Sequence, residues 1–318
     1  MISTLLSSPA VNNWGWSELI KRLFEKNVQL FTSARLLLDS AGAKTRFYLL
    51  SPKTNIDNLS IPSPLLDQTL TSTTSPLPLL VLHLRRGDYE EHCFHLAKYR
   101  STYNGIFTLP EFEERDKFAV PNLVDAMTAT TTKSDELEVS SEEEMTAFYL
   151  KHCYPNATQI QQRVREVLHD YESHLVSRHR WWRSASLARE KVRKVYIMSN
   201  GDKTWLEETK KALLADVEKG KNVSETEWEF EWSWEAVTSS RDLLAGWEEK
   251  QVLQVLDMYV AQRAELFVGN GVSEIPFFLD DIYTDHITFN KNKFSTMSGN
   301  IVMFRKQNGF HPVQTRFW

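Results

Sequence analysis

Three short apolar runs, each closed by a polar turn and separated by stretches with helical spacing, restrict this chain to an α/β architecture. The runs are Leu79-Leu-Val-Leu-His-Leu84, Val195-Tyr-Ile-Met198 and Leu266-Phe-Val268. Each has the length of a strand and the apolar character of a strand buried on both faces of a parallel sheet. The turns that close them are Arg85-Arg-Gly-Asp88, Ser199-Asn-Gly201 and Gly269-Asn-Gly271. Helical spacing covers residues 156 to 178, Lys203 to Ala215 and Lys250 to Glu265, and a further strand is expected around Trp234 to Val237. Strand and helix in alternation predict a Rossmann-like parallel sheet. Ligands of such sheets bind beyond the carboxyl ends of the strands, which is where all three turns fall.

Residues 14 to 42 carry apolar positions at helical spacing, and residues 51 to 78 are rich in Ser, Thr, Pro and Asn. We therefore expect a helical segment plus linker over 1–78 and the sheet domain over 79–318. Within the latter, residues 120 to 145, with Thr130 to Thr132 and Glu142 to Glu144, read as a mobile acidic insertion.

A net charge of −5 and a pI near 6.0 argue against a non-specific nucleic-acid binder, which carries a basic face. No nucleic-acid partner is expected, although a local arginine site for an anion needs no basic protein. No apolar run reaches the roughly 20 residues that span a bilayer. Met1 to Trp16 lacks the basic start and apolar core of a signal peptide. The two cysteines, Cys93 and Cys153, fit two buried thiols or, in an oxidising compartment, one disulfide. Asn58, Asn156 and Asn222 open glycosylation patterns that are common by chance.

The chemistry concentrates in His83-Leu-Arg-Arg-Gly-Asp88. Side chains alternate along a strand, so His83 and Arg85 point to one face. Arg86 starts the turn, Gly87 lets the backbone bend, and Asp88 can orient an arginine or cap the next helix. Guanidinium groups at a strand end suit a diphosphate, because their donors form a planar fork. A surface turn with acid-paired arginines is the plainer reading of so short a motif. The Gly-rich phosphate loops of the Walker and dinucleotide types are absent.

His83-Leu-Arg-Arg-Gly-Asp-Tyr-Glu-Glu-His-Cys93 resembles the arginine motif of the GDP-fucose protein O-fucosyltransferase-like family, particularly its fungal members. Further similar pieces follow in order: Cys153-Tyr-Pro155, Val195 to Gly201, Asp257 to Gly271, Phe294 to Arg305, and Thr315-Arg-Phe-Trp318. The resemblance implies a GT-B fold of two Rossmann-like halves, of which this chain holds the C-terminal, donor-binding half and an incomplete N-terminal one. It implies transfer of fucose from GDP-fucose to a protein or glycan hydroxyl, with inversion and without metal or other cofactor. An inactive nucleotide-sugar-binding fragment is the alternative. On this resemblance Arg85 holds the diphosphate and stabilises the leaving GDP, as a preorganised cation does for developing charge. His83 supports the nucleotide from the same face, Asp257 accepts hydrogen bonds from guanine, and Ser295 and Thr296 bind phosphate oxygens. Arg86 adds to the donor site, with Asp88 and Asn200 behind it. Work in the secretory pathway, in the Golgi or ER lumen, is implied for the full-length protein and favours a Cys93–Cys153 disulfide.

The chain departs from the family pattern twice. Removing Val272 to Lys293 gives Gly-Asn-Gly-Phe-Ser-Thr-Met-Ser-Gly-Asn, which fits the pattern. That stretch of 22 residues begins with Val-Ser and ends with Lys, which codons that fit splice boundaries can encode, and we read it as a retained intron. A competing alignment starts the phosphate loop at Val272-Ser273. An insertion there is expected to displace Ser295 and weaken GDP-fucose binding, since misplacing a contact by about 1 Å can cost roughly 10²-fold in rate. The Gly-Asn-type loop of the family's N-terminal half has no counterpart, so the chain reads as truncated at its start and the acceptor-side base is not identified.

Overall fold

The computed structural model describes residues 15–32, 76–87, 89–101, 116, 118, 120–123, 138–139, 141–178, 188, 191–219, 232–270 and 296–318. Ser17 caps α1 (Glu18–Lys26) by accepting the Ile20 N–H, and Glu18 and Lys26 complement the helix dipole at either end. One face of α1 buries Ile20, Leu23 and Phe24, and the short α2 (Val28–Phe31) buries Val28 and Phe31. These helices do not stand apart as a separate segment. Phe24 packs edge-on to Tyr259 at 5.3 Å, and Phe31 edge-on to Tyr196 at 5.1 Å, in the core of the sheet domain. The boundary expected at residue 78 therefore does not separate two cores.

All eight residues of β1 (Leu77–Leu84) are buried. The strand begins two residues before the apolar run read from the sequence, because Pro78 interrupts that run. Pro lacks a ladder donor and is tolerated at a strand start, and the pairing with β6 changes register between Leu77 and Leu80. Next come α3 (Tyr89–Lys98) and a two-residue parallel pair, β2 (Asn122–Leu123) with β3 (Glu138–Val139). The following α4 (Glu142–Cys153) corrects the reading of 120–145 as insertion. Glu142, Glu143 and Glu144 are its first turn, where carboxylates suit the positive end of a helix, and Ser141 caps it through the Glu144 N–H. Residues 124–137 lie outside the described residues.

The order continues with α5 (Ala157–Arg178), β4 (Lys194–Ser199), α6 (Lys203–Lys219), β5 (Ala236–Ser239), α7 (Leu253–Ala261), β6 (Ala264–Gly269), α8 (Thr296–Gln307) and β7 (Thr315–Phe317). The single helix expected over Lys250 to Glu265 is a 3-10 turn, Glu249–Val252, then α7, with Glu265 already in β6. β7 had no strand signal of its own; its three residues, Thr315, Arg316 and Phe317, are buried.

The five main strands are all parallel, in the order β5-β4-β1-β6-β7. Taken in chain order this is 3-2-1-4-5, the doubly wound nucleotide-binding topology, with its switch between β1 and β6. Strand alternation divides the core. Leu79, Val81, Tyr196, Met198 and Phe267 pack under α1, α2, α3, α4, α7 and α8. Leu80, Leu82, Val195, Ile197 and Val268 pack under α5 and α6. A disulfide between Cys93 and Cys153, with Cα atoms 5.9 Å apart, ties α3 to α4. Arg305 of α8 is wholly buried and donates to the carbonyls of Ala261, Ala264, Glu265 and Gln314, pinning α8 across β6 and β7.

Candidate functional site

A cleft of about 330 Å³ opens beyond the carboxyl ends of β1 and β4, beside the topological switch. Its walls come from four elements: His83, Leu84 and Arg85 from the end of β1, Met198 to Asn200 from the end of β4, Gln254 and Asp257 from α7, and Met297 from α8. The parity argument explains the first wall. His83 and Arg85 follow Leu79 and Val81 onto the α7 side of the sheet, and Leu84 and Arg86 follow Leu82 onto the other.

Arg85 is half-buried at the mouth of the cleft, with its guanidinium 5.0 Å from the centre of the Tyr89 ring. Its Nε–H is buried with no acceptor among the described residues. The Arg86 Nε–H is likewise buried without an acceptor among the described residues, so what distinguishes Arg85 is its place in the cleft wall. Arg86 turns the other way. Its guanidinium is sandwiched between the rings of Tyr154 at 3.8 Å and Trp205 at 4.2 Å and donates to the Pro155 carbonyl. It is a structural cation on the far face and does not line the cleft.

Asn200 holds the turn between them by accepting the Arg86 backbone N–H at 2.7 Å. Gly87 sits at φ +70°, a left-handed conformation, and a side chain there would press on the Asn200 amide. Glycine is thus what lets the chain reverse over the strand end. Asp88 lies outside the described residues.

His83 is buried, and its Nδ1 lies 2.7 Å from Ser298 Oγ. Burial, with Arg85 as a second cause, pushes its pKa down to about 4, so the imidazole is neutral at physiological pH. Ser298 Oγ also accepts the Asn270 N–H at 3.0 Å. One hydroxyl therefore joins the ends of β1 and β6 to the first turn of α8. Ser298 escaped the sequence reading, which chose its neighbours Ser295 and Thr296 from the family pattern. Ser295 lies outside the described residues, as does the whole of 272–293, and Thr296 opens α8. The polar context around Ser298 was its only sequence signal.

Asp257 also lines the cleft and is 7% exposed. Its Oδ1 accepts from Tyr196 Oη at 2.5 Å and its Oδ2 from Ser240 Oγ at 2.8 Å. Burial pushes its pKa up to about 7, and the two hydrogen bonds oppose that shift. The cleft thus carries a guanidinium, Arg85, and a carboxyl group, Asp257, in its walls.

A smaller pocket of about 140 Å³, near Trp318, is lined by Asp116, His152 and Arg163 among others. Its main charges satisfy one another: Asp116 accepts from both Arg163 and Arg316, which hold its carboxyl below the usual range against burial. Among the described residues no group of three His, Cys, Asp or Glu side chains is arranged to hold a metal, and no helix is long and apolar enough to cross a membrane.

Fold and site together define a Rossmann-like α/β domain with a polar cleft at its strand ends. No family model matches the chain, and no curated protein matches it.

Proposed function

We propose that the cleft binds GDP-fucose and that the protein is the donor-binding part of a fucosyltransferase, the C-terminal half of a GT-B enzyme, acting on a protein or glycan hydroxyl. The observation that carries this is the pairing, in one cleft beside the β1–β6 switch, of a guanidinium, Arg85, and a buried carboxyl group, Asp257. A guanine nucleotide matches that polarity. Its N1–H and 2-amino group are adjacent donors for Asp257, and its diphosphate is an acceptor for Arg85. His83 is neutral and adds no charge, and it fixes the α8 end of the wall through Ser298. Met297 brings the first turn of α8 to the same wall, and a helix N-terminus is a setting that favours phosphate oxygens.

In the reaction the acceptor oxygen bonds to fucose C1 as the bond from C1 to the β-phosphate oxygen breaks, with the electron pair leaving on GDP. Arg85 stabilises that leaving charge. The acceptor proton passes to a base that the residues named above do not supply. The reading calls for no metal, because the guanidinium is the cation at the leaving diphosphate. Work in the secretory pathway belongs to the same proposal.

The test is release of GDP from GDP-fucose in the presence of cell-extract glycoproteins. Arg85→Ala is expected to slow release by about 10²–10³-fold, the usual effect of removing one preorganised charge-stabilising donor. GDP-fucose binding without turnover under any acceptor condition would leave a binding module, and unchanged turnover in Arg85→Ala would remove the mechanism.

A further inference from the structure

The carboxyl group in the cleft has a setting that the nucleotide reading alone does not explain, and the following inference rests on that reading. Two neutral hydroxyls reach Asp257 from behind, one on each oxygen: Tyr196 Oη from the middle of β4 and Ser240 Oγ from the 3-10 turn after β5. Tyr196 is fully buried. One donor on each oxygen fixes the plane of the carboxyl. An ionised carboxylate has roughly four acceptor positions, so each oxygen keeps capacity for a second donor.

Among the described residues no cation is paired with this group. His83 and Arg85 from β1 line the same cleft, and Gln254 of α7 and Met297 of α8 carry no charge. Asp242, in the 3-10 turn beside Ser240, is paired with Lys210 of α6 at 2.8 Å. The carboxyl is therefore held by neutral donors in a buried setting, where ionisation is costly.

We propose that Tyr196 and Ser240 are positioning residues that hold the Asp257 carboxyl edge-on to the cleft, and that a base with two adjacent N–H donors binds there only while this carboxyl is ionised, so that affinity falls on acidification. The protonated acid turns one acceptor into a donor facing a donor. The direction follows from linkage. Asp257 sits at about 7, with burial the main cause, so the binding-competent form is complete above that pH and is lost below it. His83, at about 4, stays neutral across the same range, and Tyr196 is pushed well above its ordinary value.

The experiment is calorimetric titration of the full chain with GDP-fucose between pH 5 and pH 9, in buffers of different ionisation enthalpy. Both phosphates of this ligand stay ionised throughout and the guanine N1–H dissociates only at the alkaline limit, so the ligand's charge is constant across the acid limb on which the fall is read. Affinity is expected to be level in the alkaline range and to fall by about tenfold per pH unit below the midpoint, with close to one proton released per ligand bound there. Ser240→Ala and Tyr196→Phe are each expected to move the midpoint upward, since both hydrogen bonds favour the ionised form. A purely structural role would weaken binding equally at every pH. Binding that is level from pH 5 to pH 9 without proton release overturns the inference and leaves the nucleotide reading intact. Absence of binding at every pH overturns that reading and the inference with it.

Discussion

Arg85 and Arg86 are adjacent, identical in chemistry and opposite in use. Alternation along β1 sends one to the cleft and the other into an aromatic sandwich, so the parity of a strand decides which guanidinium can meet a ligand. That much was legible in the sequence, where His83 and Arg85 were expected on one face. The fate of Arg86 was not, because Tyr154 and Trp205 come from segments 68 and 119 residues away. Arg86→Ala is expected to lower the unfolding free energy by roughly 3 kcal/mol, from two desolvated cation–π contacts and a buried hydrogen bond. Urea denaturation measures this, and the same substitution should weaken GDP binding less than Arg85→Ala does. The reverse ranking would put Arg86 in the ligand site. Ser298 makes the complementary point: its polar context alone does not single it out, and its role emerges only once the sheet brings His83 and Asn270 to it.

Among the elements, α8 and its approach matter most. β6 ends at Gly269 and α8 begins at Thr296, and Asn270 and Ser298 are joined by a hydrogen bond of 3.0 Å. The two flanks of 272–293 are therefore held together, and Ser298 keeps its contacts with the segment present. Deleting residues 272–293 leaves only Gly271, Phe294 and Ser295 between Asn270 and Thr296. Shortening the loop that far is expected to raise stability by about 2 kcal/mol, since each doubling of loop length costs about 0.6 kcal/mol in closure entropy. Thermal unfolding of the deletion variant checks this, and GDP affinity measured alongside should rise. A variant less stable than the parent would mean that the segment packs as part of the domain. The acidic run carries a related lesson. Glu142 to Glu144 were read from composition as part of a mobile acidic insertion. They are the first turn of α4, where the helix dipole favours them, and the Ser141 cap was the local sign of it.

At the scale of the whole molecule, the fold was legible because β1, β4 and β6 each carry a short apolar run that ends in a polar turn. Tertiary context decided what local pattern did not show: β7, three residues long, carried no strand signal, and the aromatic residues of α1 and α2 join the sheet core, so the helical segment expected over 1–78 does not stand apart. Arg305 belongs to the same class. It ends a string chosen for resemblance to a donor site, yet it is a buried staple across β6 and β7. The cleft was legible in its walls, since His83, Arg85, Asn200 and Asp257 all line it, while the hydroxyls behind Asp257 were not. All of this converges on one claim, that the carboxyl group in the cleft reads the base of a diphosphate nucleotide bound at Arg85. Its most direct test compares the Kd values of GDP and xanthosine diphosphate for the parent chain and for Asp257→Asn. Xanthine replaces the 2-amino donor of guanine with a carbonyl, and asparagine replaces one carboxylate acceptor with a donor. The expected result is a preference for GDP in the parent and for xanthosine diphosphate in the variant, whereas the same preference in both would contradict the account.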